Sequence, residues 1–148
     1  ARGFEALYWF AAECKDGCAN GEPTWKTTNE KINFTSPGEF VQKPGFPTEK
    51  FAAEWYGKLP IFEAGEYEFS TKSDDGSRLH VDGKQVVDNW GLHGAREKTG
   101  KVMLNKGYHD IKVEFFQNLG GASCVVKYKG ADTGDNQKLM EAWHDPNE

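Results

Sequence analysis

A two-residue period in hydrophobicity runs through most of this chain and constrains its fold more than any other feature. In Gly65–Lys72 (GEYEFSTK), aromatic side chains at every second position alternate with glutamates. Such alternation is typical of a β-strand that buries one face and exposes the other. The dipeptide Asp82-Gly83 lies between two such segments and predicts a tight hairpin. The residues predicted to face inward are Phe51, Ala53, Trp55, Tyr67, Phe69, Thr71, Leu79, Val81, Ile111, Val113 and Phe115.

About eight short strands, spaced roughly 8–12 residues apart, are predicted in this way, which indicates an antiparallel all-β sandwich or barrel. Residues 14–47 form a long irregular stretch with one short strand at 31–36. The 148 residues fit one domain with a core at about 4–130. The polar tail, 131–148, is expected to carry one helical turn at Gln137–Trp143. The strands fall in residues 4–11, 49–61, 65–76, 77–90 (a hairpin), 99–118 (two strands) and 122–130.

Composition and missing motifs exclude several classes of function. The net charge of -5 argues against nucleic-acid binding, because that affinity comes largely from Lys and Arg on phosphates. The sequence contains no run of eighteen apolar residues, so we expect no insertion into a membrane. The sequence lacks G-x-S-x-G, H-E-x-x-H and phosphate-loop motifs, so we expect no enzymatic activity. The chain begins at Ala1 without a signal peptide, which we interpret as a mature or excised piece.

The cysteines favour an oxidising compartment. Cys14 and Cys18 flank a short polar loop that contains a glycine, so a disulfide between them is feasible. A CxxxC pair that no histidine completes is a poor zinc site. Cys124 shares a strand face with apolar residues and is predicted to be free and buried. The sequon Asn33-Phe34-Thr35 is a glycosylation acceptor, which adds weak support for an extracellular location.

Two adjacent carboxylates, Asp74 and Asp75, precede Gly76 in a tight loop. A divalent cation would cancel their mutual repulsion, and calcium binds six to eight oxygens of carboxylates, amides and carbonyls. The alternative is that Asp-Asp-Gly is simply a favourable turn. Sequence reasoning from these residues leaves both interpretations open, and it places Asp75 on an exposed loop.

The order of several motifs resembles that of the PA14 (protective-antigen-type) domain family. The resemblance covers about Phe4 to Gly130 and is densest in Phe51–Gly94, which contains SDDGSRLHVDGKQVVDNW. It continues in Gly107–Phe116 (GYHDIKVEFF) and in Gly120-Gly121-Ala122 with Tyr128. The resemblance implies a β-sandwich module of an extracellular or cell-surface protein, and many members of the family bind carbohydrate.

The sugar-binding branch of that family implies a specific site. There, a cis peptide bond joins the paired aspartates, which chelate one calcium ion whose shell the sugar's vicinal hydroxyls complete. Asp74 and Asp75 stand at that position. A second loop would supply the remaining oxygens from the Asn118 side chain and from backbone carbonyls. The residues expected to hold the metal are Asp74, Asp75, Gln117, Asn118, Leu119 and Gly120.

Aromatic residues are candidates for contact with a sugar. Trp90 and His93 follow the hairpin in a glycine-flanked loop, and we include both among the ligand-binding residues. For Trp90 we expect packing to be the main role, with stacking on a sugar as the alternative. Trp9 and Trp55 lie in strands and are expected in the core, whereas Trp25 is placed in the long loop, where it could line a site.

The sequence therefore predicts a calcium-dependent carbohydrate-binding module with a glycan as its partner, and with contacts to neighbouring domains of a larger protein as a further option. The alternative is a structural or protein-interaction module of an extracellular assembly, in which Asp74-Asp75 is only a turn.

Overall fold

The computed structural model describes residues 2–10, 19 and 21–144. They form two packed antiparallel sheets, which confirms the all-β prediction. A short helix α1 (Pro37–Phe40) and a 3₁₀ turn (Ala131–Thr133) interrupt the strands, and no described helix is long and apolar enough to cross a membrane. The strands are β1 (Phe4–Phe10), β2 (Trp25–Asn29), β3 (Asn33–Phe34), β4 (Phe51–Ile61), β5 (Gly65–Asp74), β6 (Ser77–Val81), β7 (Lys84–Asn89), β8 (Arg96–Leu104), β9 (Gly107–Gln117), β10 (Ser123–Lys129) and β11 (Lys138–Leu139).

Three loops that connect one sheet to the other lie at the same end of the molecule. The six-stranded sheet has the order β2-β1-β4-β9-β6-β7, and the five-stranded sheet contains β11-β10-β5-β8 with β3 paired to β10. The chain therefore crosses between sheets from β5 to β6 at residues 75–76, from β7 to β8 at residues 90–95, and from β9 to β10 at residues 118–122. These crossovers bring short irregular segments together at one end of the sandwich.

The core consists largely of aromatic rings between the two sheets. Every residue predicted to face inward is at most 2% exposed, so the two-residue period located the buried face correctly. Phe40 of α1 stacks on Phe115 with 5.2 Å between ring centroids, which closes the core under the irregular stretch. Cys124 is free and fully buried, as predicted. Asp82 and Gly83 both have positive φ, as a two-residue hairpin turn of the primed type requires.

The tail differs from the prediction. Gln137–Trp143 was expected to hold a helical turn, but it is extended and includes β11. Met140 and Ala142 are 1% and 0% exposed, so alternate side chains of this segment enter the core. The Lys58 amide donates to the Trp143 carbonyl at 2.6 Å, and the Trp143 amide donates back to Lys58 at 2.9 Å. Backbone pairing and burial of alternate residues thus override the helical propensity of the segment, and the core extends past residue 130.

The irregular stretch contains more structure than the sequence indicated. Trp25 lies in β2 instead of a loop, and its ring stacks on Tyr8 with 5.6 Å between centroids, so it packs against the core. Asn33 lies in β3 with an exposed side chain. Cys14 and Cys18 lie outside the described residues, and their disulfide stays a prediction.

Candidate functional site

Asp74 and the three crossovers form what we call the aspartate end, comprising residues 74–76, 90–95 and 118–122. The peptide bond between Asp74 and Asp75 is cis. Gly76 follows in a position where a Cβ atom would lie 2.5 Å from Phe116 Cε1 and 2.7 Å from the Gly91 nitrogen. The Phe116 amide also donates to the Gly76 carbonyl at 3.0 Å. Only glycine fits this close approach of three backbone segments.

Asp75 ties the three segments together. Its side chain is 7% exposed, so the expectation that it lies on an exposed loop is wrong. Asp75 Oδ1 accepts a hydrogen bond from the His93 amide at 3.2 Å, and Oδ2 accepts one from the Asn118 amide at 2.8 Å. Hydrogen bonds to a carboxylate are stronger than those between neutral groups. The Asp75 carboxylate therefore fixes both neighbouring loops while each oxygen keeps a further lone pair.

Asp74 is half-buried beside Asp75. Burial and, after it, the negative charge of Asp75 raise the pKa of the Asp74 carboxyl above its usual range. Asp74 Oδ2 lies 3.3 Å from where a Cβ of Gly121 would stand, so the missing side chain leaves room next to this oxygen. The two carboxylates thus lie side by side in a partly enclosed site, where a bound cation would relieve the repulsion between their negative charges.

The loop after β9 is held from outside by groups that sequence reasoning missed. The Gly120 amide donates to Glu49 Oε2 at 2.8 Å, and the Lys50 amide donates to the Asn118 carbonyl at 2.8 Å. Glu49 lies 71 residues away along the chain, and nothing in its local sequence marks it. The Asn118 side chain and the Leu119 carbonyl make no hydrogen bond within the described residues, so their oxygens are available.

Gln117 was predicted to belong to the loop that holds the metal, but the structure places it at the end of β9. It is the last residue of β9 and fully buried, and its Nε2 donates to the Gly120 carbonyl at 2.9 Å. Its Oε1 is buried and has no hydrogen-bond partner among the described residues. Of the predicted backbone donors, Leu119 therefore has the least engaged carbonyl, because those of Asn118 and Gly120 already accept hydrogen bonds.

A buried polar network lies directly beneath the two aspartates. Asn89 is fully buried, and its Nδ2 donates to the Arg96 carbonyl at 2.8 Å and to the Thr71 carbonyl at 3.2 Å. Arg96 Nε donates in return to Asn89 Oδ1 at 2.8 Å. The hydroxyls of Ser73 and Ser77 lie 2.7 Å apart within the same network. This network joins β5, β6, β7 and β8 and fixes the ends of the strands that carry the aspartates.

Trp90 and His93 both have structural contacts. The Trp90 ring lies on the outer side of the six-stranded sheet, 4.8 Å from the Phe116 centroid, with the Arg78 guanidinium 3.8 Å from its own centroid. The two ring nitrogens of His93 lie 2.7 and 2.8 Å from carbonyl oxygens of the backbone. Trp90 thus packs against the outer cluster around Phe116, and the role of either side chain in contacting a ligand stays a prediction.

The donors gathered here suit a hard cation. They are two carboxylates, one side-chain amide oxygen and a backbone carbonyl, all oxygen ligands of the kind that calcium prefers. No group of three or more His, Cys, Asp or Glu side chains in the described part of the chain could hold a metal. A cation at the aspartate end would therefore depend on the amide and carbonyl oxygens of residues 118–120 and on water or ligand hydroxyls, and the donor set fits calcium better than zinc.

Comparison with known proteins gives a family match over most of the chain. The family model of the PA14 domain matches residues 7–139. Anti-sigma-I factor RsgI3 of Acetivibrio thermocellus is 33% identical over 92 residues, which are 62% of this chain and 14% of that protein. The chain therefore spans only a small part of the length of this relative.

Solved structures share the fold. A PA14 sugar-binding domain from an RTX adhesin superposes with a TM-score of 0.82 at 20% identity, covering 98% of this chain and 99% of that one. An anti-sigma factor domain-containing protein superposes with a TM-score of 0.81 at 23% identity, covering 96% of this chain and 47% of that one. At these identities the likeness shows the architecture alone.

Proposed function

This chain belongs to the PA14 domain family, and from that premise we propose that it is a calcium-dependent carbohydrate-binding module of an extracellular or cell-surface protein. The observation that carries the proposal is the pair of carboxylates of Asp74 and Asp75, which share one partly enclosed place and face a loop with free oxygens. The similar fold of a PA14 sugar-binding domain supports the class of ligand. The module binds and does not catalyse.

In this proposal, calcium supplies coordination positions that neighbouring hydroxyls of a sugar can fill. Asp74, Asp75, Asn118 and the Leu119 carbonyl would hold the ion. Asp75 has a second task, because its hydrogen bonds to the His93 and Asn118 amides keep the loops at a fixed separation. Leu92 and Leu119 are 55% and 57% exposed on those loops and would form an apolar rim around the ligand.

Calorimetry tests the metal site directly. Titration of calcium chloride into chelator-treated protein should give one binding event, and Asp74→Asn should weaken it at least tenfold. Glu66→Gln is the matched control, because Glu66 is an exposed carboxylate near the start of β5, at the end of the strand opposite Asp74. Binding to a glycan array should then disappear in EDTA and return with calcium. Absence of calcium binding in the wild-type protein contradicts the proposal.

A second candidate function is that of a protein-interaction module. It is favoured by the similarity to anti-sigma factors and by three exposed side chains at the end opposite the aspartates. Phe62, Met103 and Tyr108 are 72%, 69% and 69% exposed there. This function predicts that glycan arrays stay negative with calcium present, and that Phe62→Ser or Tyr108→Ser weakens association with other domains of the parent protein.

A further inference from the structure

A second concave surface lies on the outer face of the six-stranded sheet. This groove has a volume of about 630 Å³, within the usual range of ligand sites. We call it the sheet groove. At about 3.4 Å per residue along β9, its centre at Lys112 lies ~20 Å from Asn118, so it is separate from the aspartate end. The residues that line it include Glu5, Tyr56, Lys58, His80, Lys112 and Trp143.

The floor of the sheet groove is one row of cross-strand neighbours. Glu5 pairs with Tyr56, Tyr56 with Lys112, and Lys112 with His80, on the neighbouring strands β1, β4, β9 and β6. Side chains alternate along a strand, so this row faces away from the core that Trp55 and Ile111 enter. Adjacent strands lie about 4.8 Å apart, which makes the row ~14 Å long. That length accommodates a chain of several sugar rings better than a single ring.

An aromatic ring stands at one wall of the groove. Trp143 is 43% exposed, although its backbone is fixed by the paired hydrogen bonds with Lys58 at 2.6 and 2.9 Å. The Arg2 guanidinium lies 5.6 Å from the ring centroid, and Lys58 Nζ lies 3.8 Å from Asp110 Oδ1. A large amphipathic ring held at a fixed place with much of its surface open is suited to stack on the apolar face of a pyranose.

The polar groups of the groove are ordered and paired before any ligand arrives. Tyr56 Oη donates to Glu54 Oε1 at 2.5 Å, and burial together with the nearby carboxylates raises the pKa of Tyr56, so the phenol stays protonated. His80 Nε2 lies 2.9 Å from Glu114 Oε1, and Lys112 Nζ lies 5.8 Å from the Tyr56 centroid. Among the residues that line the groove, Glu5 and Asp110 balance Lys58 and Lys112, so the lining offers no excess charge for an ionic ligand.

We propose that the sheet groove is a second carbohydrate site, which binds a neutral oligosaccharide without calcium. Carboxylate, imidazole, ammonium and phenol groups next to an exposed indole match alternating hydroxyls and apolar ring faces. A protein partner fits less well, because the centre of a protein interface is depleted of charge and this row carries the charged side chains of Glu5 and Lys112. The site goes beyond the function proposed for the aspartate end and does not depend on it.

Affinity electrophoresis tests this proposal with the protein in EDTA, which separates it from any calcium-dependent site. The probes are native gels that contain neutral polysaccharides: xylan, glucomannan, mixed-linkage β-glucan or arabinogalactan. At least one should retard the wild-type protein, and Trp143→Ala should weaken that binding at least tenfold. Phe62→Ala is the matched control, because Phe62 is an exposed aromatic residue outside the groove and should not change retardation.

Amide chemical shifts of the wild-type protein give a readout that needs no variant. The hydrolysed oligosaccharide of the retarding polymer should shift the signals of Tyr56, Lys112 and Trp143 in EDTA and leave those of Asp75 and Asn118 in place. Absence of retardation by all probes overturns the proposal, and so do shifts confined to the aspartate end or binding only to a protein partner. Absence of calcium binding by the wild-type protein, with retardation in EDTA retained, would refute the proposed function and leave this site standing.

Discussion

At the aspartate end, Asp75 is 7% exposed and its oxygens accept hydrogen bonds from the backbone amides of two loops. In the sheet groove, Tyr56 and His80 stand on strands whose backbones pair with their neighbours whatever side chains they carry. Under the two proposals, ligand binding and folding would depend on the same atoms at the aspartate end and on different atoms in the sheet groove. Substitutions should therefore affect stability and binding together at the aspartate end, and binding alone in the groove.

The largest effect is expected for Asn89→Ala, which removes the centre of the buried network under the aspartates. The fully buried Thr71 carbonyl would lose a partner, and so would the Arg96 carbonyl and Nε at the partly exposed edge of the network. Each buried unsatisfied group costs ~1–3 kcal/mol, so the free energy of unfolding should fall by about 2–4 kcal/mol. Urea denaturation measures this loss. Gln85→Ala on the same strand has an exposed side chain and should change stability by less than ~0.5 kcal/mol.

Asp75→Ala should lower both stability and calcium binding, whereas substitutions in the sheet groove should affect ligand binding alone. Without calcium, loss of two charged hydrogen bonds should cost ~1–3 kcal/mol. With calcium at 100 times its dissociation constant, the wild-type protein should gain about 2.7 kcal/mol and the variant nothing. Thermal unfolding with and without calcium measures both effects. A variant as stable as wild type without calcium would contradict the structural role of Asp75, and Tyr56→Phe in the groove should leave the calcium response intact.

His109 supplies a smaller, pH-dependent effect at the opposite end of the sandwich. Burial opposes it, but the Asp82 carboxylate at 2.6 Å and the Asn105 carbonyl raise the pKa of His109 overall. The resulting stabilisation is fully present below the unfolded pKa of about 6.5 and is lost as pH rises through the higher folded value. At pH 5.5 the free energy of unfolding of the wild-type protein should be higher than that of His109→Gln by up to ~1 kcal/mol, as measured by urea denaturation. A difference that grows from pH 5.5 to 8.5 would reverse the expected sign.

The smallest effect concerns Asp74→Asn in metal-free protein. Because the folded pKa of Asp74 is raised, its ionised form disfavours folding, and the stability present at low pH declines as pH rises through that value. The substitution should therefore raise the melting temperature at pH 7 by about 1–3 °C and leave it unchanged near pH 3. Added calcium should reverse the order, since only the wild type gains. Scanning calorimetry with EDTA or calcium separates these cases.

Much of the fold could be predicted from local patterns, because a two-residue period directly reports which face of a strand is buried. Tyr67, Phe69 and Val113 were placed correctly for this reason. The tail and β2 were missed, since their strands form by pairing with distant partners and not through an alternating pattern of their own. Trp143 pairs with Lys58, and β2 pairs with β1 across the long irregular stretch.

The candidate site divides in the same way. The adjacency of Asp74 and Asp75 is visible in the sequence, and so is the loop that carries Asn118. The roles of Glu49 and Asn89 are not visible, because Glu49 bonds to a backbone amide 71 residues away and Asn89 bonds to the Thr71 and Arg96 carbonyls on two strands of the other sheet. The burial of Asp75 was missed for a related reason. The two neighbouring crossovers cover Asp75, and only the order of the strands in the two sheets brings these crossovers next to it.

The pairing of the first and last described segments has a consequence for how this domain is joined to others. The Gly3 amide donates to the Ala142 carbonyl at 2.7 Å, so the polypeptide enters and leaves side by side. β1 runs from Gly3 towards the aspartate end, where Phe10 pairs with Phe51 opposite Gln117. A host protein could thus accept residues 2–144 as an insertion in a surface loop without separating the ends of that loop. In that arrangement the aspartate end would lie away from the point where the chain joins the host, because Gly3 and Trp143 lie beside Lys58 towards the other end of β4.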